Sequence, residues 1–262
     1  ANLDALSVTE NDADLTLNVM TNDTAFDGDK TVTAVLGHPD NLGQAVTGNN
    51  GGTFIIHADG SASFSQGTDF DYLADGEVAT TQVAYTITGY EGENSTSTVT
   101  VTVTGVNDAP NAVDNTYTVN AGHNANITFQ YYTTILGITY NDSDAEGAAF
   151  SLTAVNGEAL VDGSVVVNGD NGGVFTVNAD GAVHLDASTG FEYLLVGEST
   201  TTSFEYTVTD EHGASSTATT TVTVNGQNDA VQANADEFST TEDEKLVANV
   251  LEDQNDDALY II

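Results

Sequence analysis

The chain of 262 residues carries 40 aspartates and glutamates against two basic side chains, Lys30 and Lys245, a formal charge of −38. Such a polyanion offers no basic patch to nucleic acid or to an anionic membrane surface, and without cations its compact form would repel itself strongly. Cysteine is absent, which excludes disulfides and thiolate metal sites.

No charged-then-apolar signal peptide opens the sequence, and no apolar run approaches the ~20 residues of a membrane-spanning helix. A sequence that begins at Ala1 inside a repeat is expected to be a piece of something longer. High charge alone would suit disorder. Here 39% of the residues are hydrophobic, and they recur in strand-like patterns.

In chain order, Leu15, Leu17 and Val19 alternate with polar neighbours as a half-buried strand does. Asn22-Asp23 ends that strand, and an acidic loop follows through Asp27-Gly28-Asp29. Thr31 to Leu36 reads as the next strand. Thr53 to His57 and Ser61 to Phe64 flank Asp59-Gly60, which predicts a hairpin with a type I′ turn. Thr68-Asp69-Phe70-Asp71-Tyr72 precedes a turn at Asp75-Gly76. Val83, Tyr85 and Ile87 share one face of a strand, and Ser97 to Thr104 places Val99, Val101 and Val103 inward with threonines outward. No segment sustains a helical period, so the pattern is that of an all-β sandwich.

The stretch Gly105-Val106-Asn107-Asp108-Ala109-Pro110 returns as Gly226-Gln227-Asn228-Asp229-Ala230-Val231, displaced by 121 residues (107 to 228). Proline stops strand pairing there, and Asn-Asp offers side-chain oxygens at the exit. The stretch reads as a junction between repeats. Asp180-Gly181, Phe191, Tyr193, Tyr206, Val222 and Val224 answer Asp59-Gly60, Phe70, Tyr72, Tyr85, Val101 and Val103 at that same displacement. Earlier in the repeat the match is looser, with Leu15 answering Ile127 and Asn22 answering Asn141, so residues are inserted near 131–137. The expected domains are 1–106, 107–227 and a partial third repeat, 228–262, too short to close a sandwich alone.

Acidic residues gather at the presumed sandwich ends. Asp142-Ser143-Asp144-Ala145-Glu146-Gly147 sets oxygen ligands at alternate positions before a glycine, like the opening of a calcium loop, though without the distal glutamate or flanking helices of an EF-hand. Alone, such a loop is more often a solvated turn than a metal site. Acidic loops at three equivalent places (Asp23-Asp27-Asp29, Asp142-Asp144, Asp253-Asp256) favour metal.

Through the GVNDAP junction, the ADGS and TDFDYL stretches and the Tyr-Thr-(Ile/Val)-Thr strand, the chain resembles tandem cadherin-like repeats of large bacterial surface adhesins, including the VCBS type of RTX adhesins. The resemblance implies tandem cadherin-like, Ig-like β-sandwich domains with calcium at the junctions. Carried over residue by residue, Glu10 is the early acid, Asp69 and Asp71 the D-x-E equivalent, Asn107 and Asp108 the linker ligands, Asp142 and Asp144 the D-x-D pair, and Asp210 the final aspartate. At the second junction Glu192, Asn228 and Asp229 remain, with Gly122 opposite Glu10. Ala109 and Ala230 replace the family's second linker asparagine, and Gly89 stands where Asp210 does. The second junction is therefore expected to bind metal more weakly.

Other chemistries fit less well. Asp69 and Asp71, two apart on one strand, do not suit a glycosidase pair. Five histidines show no zinc spacing, and no G-x-S-x-G occurs, so no enzyme activity is expected. The apolar stretch from Tyr131 to Tyr140 reads either as a patch for a glycan, peptide or second chain, or as a longer strand packing on repeat two. The sequence thus points to a rod-like, calcium-stiffened spacer of an exported bacterial adhesin, extracellular or at the cell surface. Its partners would be calcium ions and neighbouring repeats, with surface ligands gripped by other parts of the parent protein. A ligand-binding module of such an adhesin is the alternative.

Overall fold

The computed structural model describes residues 1–24, 28–120, 126–129, 137–187, 190–227 and 242. The chain divides into a unit Ala1–Gln227, which holds two sandwiches, and a unit Asn228–Ile262. Expectations placed on Asp27, Gly122, 131–136, Asn228, Asp229, Asp253 and Asp256 lie outside the described residues.

The first sandwich is built from β1 (Asp4–Thr9), β2 (Leu15–Asn18), β3 (Thr31–Val35), β4 (Ala45–Thr47), β5 (Thr53–Ile56), β6 (Ser61–Ser65), β7 (Val78–Thr88) and β8 (Asn94–Thr104). They form two sheets in the orders β1-β8-β7-β3 and β2-β6-β5-β4. The second comprises β9 (Asn115–Asn120), β10 (Asn126–Phe129), β11 (Phe150–Val155), β12 (Glu158–Ala159), β13 (Ser164–Asn168), β14 (Val174–Asn178), β15 (Val183–Asp186), β16 (Ser199–Asp210) and β17 (Ser215–Asn225). Its sheets run β12-β11-β16-β17-β9 and β10-β15-β14-β13. Apart from a short 3-10 turn at Pro39–Asn41, the described residues hold no helix. The fold is all-β.

The Thr/Val runs explain the long strands. In β8, Val99, Val101 and Val103 are buried while the intervening threonines face outward, as the two-residue period of a strand requires. The first strand of each sandwich lies parallel to the last, β1 on β8 and β9 on β17. The chain then crosses to the other sheet, where Leu15 pairs with Phe64 and Ile127 with Leu185. Those partners are 121 residues apart, so the looser internal alignment of Leu15 with Ile127 is correct in register.

Each sandwich has its own core. One gathers Val8 to Val103 around Tyr85, Phe54, Phe64 and Phe70; the other gathers Val119 to Val224 around Tyr206, Phe175, Phe191 and Phe204. The bulk is redistributed between them. Phe64 and Val83 of the first become Leu185 and Phe204 of the second, and the tilted ring pair changes accordingly from Phe54–Phe64 to Phe175–Phe204, both with centroids 4.8 Å apart. Such a volume-conserving exchange keeps the core filled.

Two local readings need correction. Asp59-Gly60 is not a type I′ turn, because only Gly60 has positive φ (80°). The bond from Gly60 N to His57 O closes a turn over 57–60, with Asp59 Oδ1 accepting from Ser61 N. The strand from Thr31 stops at Val35, since Leu36 takes φ 51° and turns the chain toward Pro39. Of the apolar stretch, Ile138 is buried, consistent with packing on repeat two, whereas Tyr140 is 57% exposed.

Candidate metal centre at the first junction

The linker begins where β8 ends. Gly105 is forced by crowding, because a Cβ there would run into the carbonyl oxygens of Ala74 and Leu73. Gly226 faces the same obstacle from Leu195 and Leu194. Gly105 N donates to Glu77 O, and Gly226 N to Glu198 O. Packing thus accounts for the glycine that opens each junction. Beyond it, Asn111 and Ser143 exchange backbone hydrogen bonds of 2.7 and 3.2 Å, tying the linker to the acidic loop of repeat two.

Glu10, just after β1, is only 3% exposed. Its Oε1 accepts from Val106 N at 2.6 Å, and its Oε2 is buried with no hydrogen-bond donor. Burial raises its pKa, the Val106 amide opposes that, and the charges of Asp108, Asp71 and Glu146 raise it further. Carboxylates of both sandwiches and of the linker therefore crowd one another here. Asp108 N donates to Glu146 Oε1 at 2.6 Å. Glu146 is itself raised, chiefly by burial and also by Asp144 beside it.

Among the described residues, seven buried side-chain oxygens lack a partner, and five of them belong to Glu10, Asn141, Asp142, Asp144 and Glu146. Carboxylate oxygens can only accept, so burying them without a donor is costly unless a cation is supplied. Hard oxygens in this number suit calcium. The cage is not closed, however. Among the described residues no three His, Asp or Glu side chains are spaced as they would be around a bound ion. Donor chemistry fits a hard divalent cation, and the spacing requires the carboxylates to draw inward.

The other carried-over residues are placed differently. Asp142 Oδ1 accepts from Val113 N at 2.8 Å and from the Tyr206 hydroxyl at 2.9 Å, leaving only Oδ2 unpaired. Asp210, 8% exposed, is already satisfied: Oδ2 accepts from Asn107 Nδ2 at 2.7 Å, and Oδ1 from His212 N and Ala214 N. Asn107, first among these donors, holds its pKa low. Asp69 Oδ2 accepts from Gly52 N at 2.7 Å, whereas Asp71 is among the charges that act on Glu10. Glu192 is exposed and accepts from Gly190 N. The alternation of the 142–147 loop contains Glu146, which the cadherin-like motif does not mark as a ligand.

At the far end of repeat one, none of the described carboxylates has a buried oxygen without a partner. Lys30 Nζ donates to the carbonyls of Met20 (2.8 Å) and Asp23, and Asp23 accepts from the Tyr85 hydroxyl. At Gly89 a Cβ would collide with the Glu93 carboxylate, so Glu93 fills the space that the Asp210 side chain takes in repeat two.

Residues 107–226 match the bacterial cadherin-like domain, and residues 1–104 match a bacterial Ig domain. No curated protein matches the chain in sequence. Among solved structures, human mucin-like protocadherin EC1-2 is similar at 16% identity and TM-score 0.40, with 86% of this chain and 97% of that chain covered. Drosophila N-cadherin EC1-4 (14%, TM-score 0.41) and the human desmocollin-1 ectodomain (15%, TM-score 0.43) are each covered over 86% of this chain and over 49% and 40% of their own. The cadherin-like resemblance read from the motifs is borne out. Modules of these classes are structural and adhesive, not catalytic.

Proposed function

We propose that this tandem of a bacterial Ig domain and a bacterial cadherin-like domain is a calcium-stiffened extender segment of a large exported adhesin of the VCBS and RTX type, acting outside the cell. Its repeats would be 1–106, 107–227 and the start of a third over 228–262. The observation that supports this reading is the set of buried, donorless oxygens of Glu10, Asn141, Asp142, Asp144 and Glu146 on the two sides of one linker. Glu10, Asp71, Asp108, Asp142 and Asp144 would hold the ion, with Asn107, Asp69 and Asp210 ordering the surrounding backbone.

Calcium supplies a divalent charge that accepts about 6–8 oxygen ligands, so one coordination shell takes donors from both sandwiches and fixes the angle between them. Glu192, Asn228 and Asp229 offer fewer carboxylates to the second junction, which would fill at higher calcium. The decisive experiment is a calorimetric calcium titration of the chelated protein. Saturable binding, with one class tighter than the rest, is expected; no binding at millimolar calcium overturns the reading.

A further inference from the structure

We propose that Glu146 is itself a cation ligand, the residue through which repeat two reaches the carboxylate of Glu10 across the linker. The inference rests on the reading of the junction as a calcium site. The loop has a strict alternation: Asp142, Asp144 and Glu146 are partly buried, while Ser143, Ala145 and Gly147 are exposed. Three acidic side chains therefore turn the same way, and each carries one buried oxygen without a donor.

Glu146 differs from the other two in what its second oxygen does. Asp142 spends Oδ1 on Tyr206 and Val113, and Asp144 spends Oδ1 on Ala148 N at 2.9 Å, all within repeat two. Glu146 spends Oε1 on Asp108 N, a linker amide, at 2.6 Å. That bond sets the linker backbone against the loop, and the Glu146 charge acts on Glu10 of repeat one.

A cluster of acidic residues alone would not make a site. Here Glu10 supplies an independent sign: it is 97% buried (3% exposed), yet its Oε2 has no donor among these neighbours. Two carboxylates from different sandwiches, each with an unpaired oxygen, both touching the linker backbone through the other oxygen, describe a bridging pair for one divalent ion. Val106 N is held by Glu10 and Asp108 N by Glu146, so the ion would join the two clamps that grip the linker.

The test compares wild type, Glu146→Gln and Glu158→Gln by calcium calorimetry and by melting in chelator. The glutamine carbonyl still accepts from Asp108 N, so the linker clamp survives while one ligand charge is lost. Glu158 is exposed on β12 and controls for the loss of one surface charge. We expect the tightest calcium affinity to fall tenfold or more in Glu146→Gln and to stay unchanged in Glu158→Gln. Melting of Glu146→Gln in chelator should equal or exceed wild type. Wild-type affinity in Glu146→Gln overturns this inference alone. Weaker binding together with a lower melting point in chelator makes Glu146 only a positioning residue, and also overturns it. A wild type that binds no calcium overturns both this and the function proposed above.

Discussion

The hydroxyl of Tyr206, a fully buried member of the second core, lies 2.9 Å from Oδ1 of Asp142 at the first position of the acidic loop. Tyr85 stands in the same relation to Asp23, at 3.1 Å. Burial first, and then the neighbouring carboxylates (Asp142 for Tyr206; Asp4, at 2.8 Å, and after it Asp23 for Tyr85), push both phenols far above their ordinary range, so they remain O–H donors. Each tyrosine couples a packed core to a loop. Among the described residues, the loop of repeat two alone also carries buried carboxylate oxygens without a partner, on Asp142, Asp144 and Glu146.

Replacing each tyrosine by phenylalanine separates the two roles. A hydrogen bond to a charged group contributes about 1.5–3 kcal/mol, so Tyr85→Phe and Tyr206→Phe should both lower stability in chelator by roughly that amount. Tyr206→Phe alone should weaken calcium binding, because Asp142 loses one of its two donors and keeps only the Val113 amide. Melting curves and calcium titrations of both variants check this. Equal calcium affinity in the two variants would show that the loop is positioned by its backbone.

Calcium should stabilise the fold as well as the junction. A ligand that binds only the native state adds about 2.7 kcal/mol at a hundredfold excess over Kd. Melting temperature should therefore rise with calcium, and magnesium should substitute poorly because it demands octahedral geometry and sheds water reluctantly. Identical melting in chelator and in millimolar calcium would sink the idea.

The β architecture was legible because Thr/Val alternation and the displacement of 121 residues are properties of the chain itself. The buried faces of β8 and β17 follow directly from them. Site chemistry was legible only in part. Motifs pick out Glu10, Asp108 and Asp144 as candidate ligands, but the pairing of Asp210 with Asn107 and of Asp69 with Gly52 depends on which loops meet in space. Glu146 was hidden for the same reason. Its partner, the Asp108 amide, lies 38 residues earlier, and backbone donors leave no trace in sequence. Nor does sequence spacing reveal that Gly105 is required by the carbonyl of Ala74.

The pH response in chelator should be inverted relative to an ordinary protein. Glu10, Glu146, Asp142 and Asp4 all have pKa values raised, chiefly by burial. A carboxyl with a raised folded pKa binds more protons folded than unfolded, so stability falls as pH climbs through that window. Lowering the pH from neutrality toward about 5 should therefore raise the melting temperature of the chelated protein. Below about 4, the reference carboxylate range, the sign reverses, because Asp210 and Asp170 have lowered values and lose their partners on protonation. In calcium the upper trend should disappear or reverse, since protons then compete with the ion. A chelated protein that melts highest at pH 8 would contradict the crowding of these carboxylates.

Asp108 is the one carboxylate carried by the linker itself, next to the Asn107 that holds Asp210. Asp108→Ala leaves both cores and the backbone bond to Glu146 in place while removing that carboxylate. Because the chain has no cysteine, a pair of spin labels can be introduced at Gln82 and Val166, both exposed and one in each sandwich. In calcium the wild type should give one narrow distance distribution, and in chelator a broad one, since unneutralised carboxylates on the two sides of the linker repel one another. Asp108→Ala should stay broad at submillimolar calcium and should narrow, if at all, only at concentrations roughly tenfold higher, the scale expected for losing a charged ligand. In chelator the two proteins should be indistinguishable. A mutant as narrow as wild type at submillimolar calcium would mean that the ion is held by Glu10, Asp144 and Glu146 without the linker's carboxylate.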